Sequence, residues 1–107
     1  MSMTSDMLRG HTETIILAHL LVQDSYGYQI NKDILGKTNN LYELKEATLY
    51  SAFRRLEQEG LIQSYWGDEG SGARRRYYAI TEDGRAAYER QKKEWEQTKI
   101  IIDKLLK

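Results

Sequence analysis

Three helical stretches, a pair of strands around a glycine-rich tip and one last long helix predict a mostly α fold with one small β-hairpin (α+β). Two observations carry that expectation. Up to Gly60 the apolar residues recur at helical spacing, whereas Leu61 to Ile80 holds aromatic and β-branched runs of strand length. After Thr81 the helical period returns and lasts to the end of the 107 residues. A chain of this size builds one modest core and not two.

The first helix is expected to start after Ser5 or Asp6, either of which can cap it, and to run to about Val22. Its second half, Ile15 to Val22, is apolar nearly all round, as in a helix packed on several sides. Asp24-Ser25 ends that element and caps the next, Tyr26 to Leu35, which Gly36 closes; Ile30 and Ile34 give it an inner edge. Lys37 to Asn40 reads as a turn and Leu41 to Leu44 as a short edge strand. The third helix begins at Glu46 and sets Leu49, Ala52, Phe53 and Leu56 on one narrow side. Gly60 suits a left-handed exit from it. Leu61 to Trp66 and Arg74 to Ile80 then pair as a hairpin with Gly67 to Ala73 as its tip. Thr81 caps the last helix, where Glu82 and Asp83 complement the dipole of the first turn.

Composition excludes several classes. The longest apolar run is interrupted by His19 and is too short to cross a bilayer, and Met1 to Gly10 lacks the apolar centre of a secretory signal. There is no cysteine, hence no disulfide or thiolate chemistry, which fits a cytoplasmic protein. No serine or carboxylate has an evident base partner, and no glycine-rich phosphate loop follows a strand. His11 and His19 are eight residues apart, about 12 Å along a helix, too far to share a metal. The expectation is a protein that is not an enzyme and needs no metal or cofactor.

The outward face of the third helix carries Ala47, Ser51, Arg54 and Gln58, flanked by Thr48, Tyr50 and Arg55. Small residues, hydroxyls, a phenol and guanidiniums suit a helix laid in a DNA major groove; an ordinary amphipathic helix is the plainer reading. Arg74-Arg75-Arg76 beside Tyr77-Tyr78 stands where a hairpin meets phosphates, unless those arginines merely pair with Asp68, Glu69 or Glu82. Helices followed by such a hairpin give the order of a winged helix-turn-helix, and together the two segments favour DNA. The formal net charge is zero, and residues 45 to 76 hold six basic and five acidic groups. DNA affinity must then come from the placement of individual arginines. The division expected is a DNA-binding domain over 1–80 and a dimerisation helix over 81–107.

Ala47-Thr-Leu-Tyr50, Arg55-Leu-Glu-Gln-Glu-Gly-Leu-Ile62, Arg75-Arg-Tyr-Tyr78, Thr81-Glu-Asp-Gly84 and Tyr26-Gly-Tyr-Gln-Ile30 together resemble the PadR family of bacterial transcriptional regulators. The likeness spans almost the whole chain. The single carboxy-terminal helix resembles the short subfamily, and Glu46-Ala-Thr-Leu-Tyr50, Ser64 to Glu69 and Trp95 are similar to a multidrug-binding member. The resemblance implies a homodimeric repressor on an inverted-repeat operator in double-stranded DNA, with the first and last helices forming the dimer. It also implies that Thr48 and Tyr50 read DNA from the third helix and that Arg75 and Tyr77 touch it from the wing. Lys45 departs from the Ser, Asn or Asp expected at the cap position, a loss of about 1 kcal/mol that a phosphate contact by Lys45 would offset.

The last helix points to a dimer by itself. Tyr88, Trp95 and Ile102 are spaced by seven, as are Gln91, Thr98 and Leu105, and Ile101 and Leu106 widen the stripe. A second copy is the simplest cover, a fold-back on the same domain the plainer one. Trp95, with Thr98, Lys99 and Ile102 beside it, is bulky for a tight seam. Met7, Gly10, His11 and Thr14 share one side of the first helix and can line the same space. From the residues alone Trp95 fills a dimer core; the resemblance to a multidrug-binding member turns the expectation to a planar aromatic effector stacked there. A dimeric protein-interaction module without a DNA target is the rival reading.

Overall fold

The computed structural model describes residues 7–68 and 74–107. The expected cap at Ser5 or Asp6 and the part of the hairpin tip at 69–73, Glu69 included, lie outside the described residues. The elements are a 3-10 turn Arg9–His11, α1 Thr12–Val22, α2 Gly27–Lys37, α3 Glu46–Gln58, β1 Ile62–Asp68, β2 Arg74–Ile80 and α4 Glu82–Leu105.

Four expectations need correction. The first helix is not continuous: it tightens at Arg9–His11, and the buried Thr12 hydroxyl donates back to the Arg9 carbonyl (3.0 Å) where α1 begins. Asp24-Ser25 does not cap α2. The cap position is Tyr26, without a side-chain bond, because Ser25 exchanges both backbone hydrogen bonds with Tyr78 (3.2 and 2.8 Å). That bridge adds one residue of a third strand beyond β2. Gly36 does not end α2; the helix continues to Lys37, and the reversal falls on Asn39 and Asn40, at φ 53° and 64°. Asparagine tolerates that left-handed region better than most side chains. Finally, Leu41 to Leu44 is not a strand. The Asn31 amide donates to the Leu44 carbonyl and accepts from the Leu44 N–H, both at 2.8 Å, so one side chain supplies what a neighbouring strand would.

β1 pairs with β2 antiparallel, from Ile62 opposite Ile80 to Asp68 opposite Arg74, so the strand takes in Gly67 and Asp68 from the expected tip. The core draws on every regular element: Ile16, Leu17 and Leu20 from α1, Ile30 and Ile34 from α2, the whole α3 stripe, Ile62, Tyr78 and Ala87. Phe53 lies flat on Tyr78, ring centroids 3.9 Å apart. Full burial of such a side chain contributes about 1.5–3 kcal/mol.

The corner between α3, the hairpin and α4 is tightly built. Gly60 takes the left-handed φ of 76° expected of it. Thr81 donates its hydroxyl to the Gly60 carbonyl (2.7 Å) and accepts from the Gly84 N–H (3.0 Å), the helix cap foreseen at this position. A Cβ on Gly84 would fall 2.1 Å from the Leu61 carbonyl oxygen, so only glycine lets α4 approach so closely. Beyond this corner α4 packs along α1, but from Lys92 onward every residue is exposed, and the molecule is 56 Å long as a result.

Candidate nucleic-acid interface

Burial of Leu49, Ala52, Phe53 and Leu56 fixes the rotation of α3 and leaves the opposite side in solvent. Lys45 is exposed and caps nothing, and Arg54 is exposed with no ion pair or hydrogen bond to any described residue. Thr48 is half-buried at the rim of a small crevice lined also by Arg9, Tyr42 and Lys45. Ser51 is half-buried and engaged: its oxygen accepts from the Arg55 guanidinium (3.0 Å), whose Nε donates to Glu13 of α1 (2.9 Å). Tyr50, 45% exposed, stands edge-on to Phe53 and presses its hydroxyl on the start of α2. A Cβ on Gly27 would lie 2.9 Å from that oxygen, so glycine there is what allows Tyr50 its position.

The hairpin divides the arginine triplet between its two faces. Arg74 and Arg76 share a face with Trp66, their guanidiniums 5.4 and 5.8 Å from the indole. Arg76 also pairs with Glu57 of α3 (3.5 Å), a carboxylate that accepts from Ser64 (2.7 Å). Glu57 was not among the acids expected to pair with these arginines. On the other face the Arg75 guanidinium lies 4.7 Å above the Tyr26 ring, Tyr77 meets Tyr26 edge-on at 5.2 Å and stacks on Tyr65 at 5.7 Å. Tyr65 donates to Asp24 (2.6 Å), and that bond, with burial and the carboxylate charge, raises the Tyr65 pKa above its usual value.

Tyr26 and Gly27 are therefore the residues that join hairpin and helix: one carries Arg75, the next seats Tyr50. Sequence reasoning took Tyr26 to Ile30 for a helix start and a family motif and gave it no part in the site, although a glycine flanked by tyrosines was a signal of close backbone approach. Glu13 was missed for a plainer reason. Nothing local ties an acid of the first helix to an arginine forty-two positions away.

A second site lies where α4 leaves α1. His11 meets Trp95 edge-on at 4.8 Å, and Thr14 donates to Gln91 (2.5 Å). This wall separates two grooves. An apolar one of about 610 Å³ is lined by Met7, His11, Thr14, Trp95, Thr98 and Ile102, together with Leu8, Ile15 and Tyr88. A polar one of about 460 Å³ includes Gly10, Glu13, Arg55, Gln91 and Glu94. Of the eight residues expected around an effector, six come together in the apolar groove. Gly10 falls on the polar side, and Lys99 lines neither, holding its ammonium 5.8 Å from the Trp95 ring. His19 bonds through Nδ1 to the Ile15 carbonyl of its own helix (2.9 Å), while its buried Nε2 meets no hydrogen-bond partner among the described residues. No helix among the described residues is long and apolar enough to cross a membrane.

Comparison with known proteins adds four findings. The model of the transcriptional regulator PadR-like family matches residues 16–90. An uncharacterized protein from Lysinibacillus sphaericus is 48% identical over 92% of this chain and 91% of its own. Among solved structures, a transcriptional regulator from Clostridium thermocellum is 52% identical with a TM-score of 0.89, covering 96% of this chain and all of that one. A PadR family transcription regulator from Clostridium difficile is 35% identical, TM-score 0.77, over 91% of this chain and 99% of that one.

Proposed function

The chain belongs to the PadR-like family of transcriptional regulators and is a regulator, not an enzyme; on that premise we propose that two copies form a repressor on an inverted-repeat operator. A planar aromatic molecule entering between the copies releases it. The observation that carries this reading is the junction at Tyr26-Gly27, because it sets Tyr50 of α3 and Arg75 of the hairpin on one continuous surface. A major-groove helix and its wing need that shared surface to engage the same duplex. Thr48, Tyr50, Ser51 and Arg54 then face base edges, while Lys45, Arg74, Arg75, Arg76 and Tyr77 take phosphates.

Pairing through α4 is supported by its outer half, where Ile101 is 56% exposed and Ile102, Leu105 and Leu106 lie bare beside it. Apolar stripes of that kind mark association surfaces. Two-fold pairing sets the apolar grooves, each walled by Trp95, against each other, which supports the assignment to the short, multidrug-binding branch. Their volume is that of an ordinary small-molecule cavity.

Selection of bound DNA from random pools, followed by footprinting, tests the DNA half. Two protected half-sites, centred about one helical turn or a multiple apart, are expected; one half-site held by a monomer contradicts the reading. DNA binding indifferent to salt favours the protein-interaction rival. For the effector half, Trp66→Phe leaves Trp95 as the lone tryptophan. Planar aromatic dyes should quench its emission and lower operator affinity; equal binding after Trp95→Ala moves the pocket elsewhere.

A further inference from the structure

Arg54 and Arg55 are neighbours on α3 with different fates. Arg54 points to solvent and makes no ion pair with a described residue. Arg55 is turned to the flank by α1, where Glu13 takes its Nε at 2.9 Å while its Nη1 reaches Ser51 at 3.0 Å. The guanidinium therefore spans the rim of the outward face: one end touches a residue of that face, the other is drawn back toward the dimer helices. About half of the Arg55 side chain stays in solvent, and among the described residues the Glu13 carboxylate is the only charged group that holds it there, with the Ser51 hydroxyl as a neutral second partner. Both partners line the polar groove that Trp95, Gln91 and Glu94 also line.

We infer that Glu13 latches Arg55, withholding one cation of the recognition helix from DNA, and that the polar groove is where the latch is set or released. This rests on the DNA-binding reading above and specifies its regulation. An exposed ion pair is weak, because water and salt screen it; that weakness suits a contact meant to be exchanged for a phosphate. In a chain with no net charge, one arginine more or less on the reading face is a large share of the available attraction. A ligand lying against Trp95 on the groove's polar side sits beside both members of the pair, and any group that competes for either changes what DNA meets.

The test needs no effector. Affinity for a selected operator is measured across a salt series for the full chain, Glu13→Gln, Arg55→Gln and the double variant. Glu13 lies on α1, away from the proposed DNA face, so a merely structural role predicts unchanged or weaker binding. The latch predicts that Glu13→Gln tightens binding about threefold or more and steepens the log–log salt slope by about one, the signature of one added phosphate contact. In the Arg55→Gln background the same change at Glu13 should do nothing. Weaker binding, an unchanged slope, or an effect that persists without Arg55 overturns the latch. If the unaltered protein binds no DNA in a salt-dependent way, the DNA-binding reading itself fails, a result distinct from a failed cycle. Thermal melts within a few degrees of the parent show that Glu13→Gln remains folded.

Discussion

The proposed DNA-facing surface and the outer half of α4 are both solvent-exposed, yet they are opposites in how they are left. On the first, most large side chains already have a partner: Arg75 on Tyr26, Arg76 on Glu57 and Trp66, Tyr50 on Gly27 and Phe53. On the second, Ile100, Ile101, Leu105 and Leu106 have none of comparable kind among the described residues and stand in water. On the proposed reading, the difference reflects two sorts of binding. A surface that must position charges on phosphates gains from holding them in place beforehand, since immobilising a loose side chain on binding costs about 0.5–1.5 kcal/mol. A surface that must bury area gains from apolar atoms that nothing else has claimed.

The strongest way to break the comparison is to put a charge on the bare side. Ile102→Glu should leave the DNA-binding core folded while converting dimer to monomer in sedimentation. Operator affinity should fall about 100-fold, because an unpaired carboxylate buried in an interface costs several kcal/mol. A dimer that survives this change places the interface elsewhere. Next in size is Gly27→Ala. The added methyl would lie 2.9 Å from the Tyr50 hydroxyl and 3.2 Å from Leu49, so Tyr50 must move. Operator binding should weaken about tenfold with at most about 1–3 kcal/mol lost in stability, the usual range for overpacking. Pairing this change with Tyr50→Phe, which removes the offending oxygen, should recover part of the loss.

Smaller effects sharpen the division within the first surface. Arg54→Ala should blur base preference by about 1–3 kcal/mol at one position, whereas Arg75→Ala should weaken all sequences alike and flatten the salt slope by about one. If Arg75→Ala alters preference and not the slope, reading and anchoring are wrongly assigned. The smallest expected change is Lys45→Asp. A carboxylate at that cap position should raise stability by about 1 kcal/mol in thermal melts, while operator binding weakens as a phosphate meets an acid.

How much of this was legible beforehand follows from how local each cause is. The α3 stripe, the Gly60 exit and the Thr81 cap were readable because periodicity, a left-handed turn and a cap each depend on residues within one turn of chain. The start of α2 and the segment Leu41 to Leu44 were misjudged because the decisive partners are distant: Tyr78 captures Ser25, and Asn31 satisfies Leu44. The arginine triplet was seen as one basic cluster, yet strand alternation sends Arg75 to one face and Arg74 and Arg76 to the other. That split was available from the pattern alone once the segment was taken as a strand. Glu13 and its hold on Arg55 could not be read from any spacing.

The corner at Gly60-Leu61 has a consequence for which targets the regulator accepts. Thr81 is tied to Gly60 by its hydroxyl and to Leu61 by its N–H (3.1 Å), and Gly84 sits against the Leu61 carbonyl. The end of α3 and the start of α4 thus share one tightly bonded joint. For the proposed dimer this makes the distance and phase between the two reading heads nearly a constant of the protein. One base pair inserted between half-sites turns one of them by about a tenth of a revolution relative to the other. With no slack at the joint, such an insertion should be harder to absorb than a changed letter within a half-site, so operators would be told apart by their spacer as much as by their sequence.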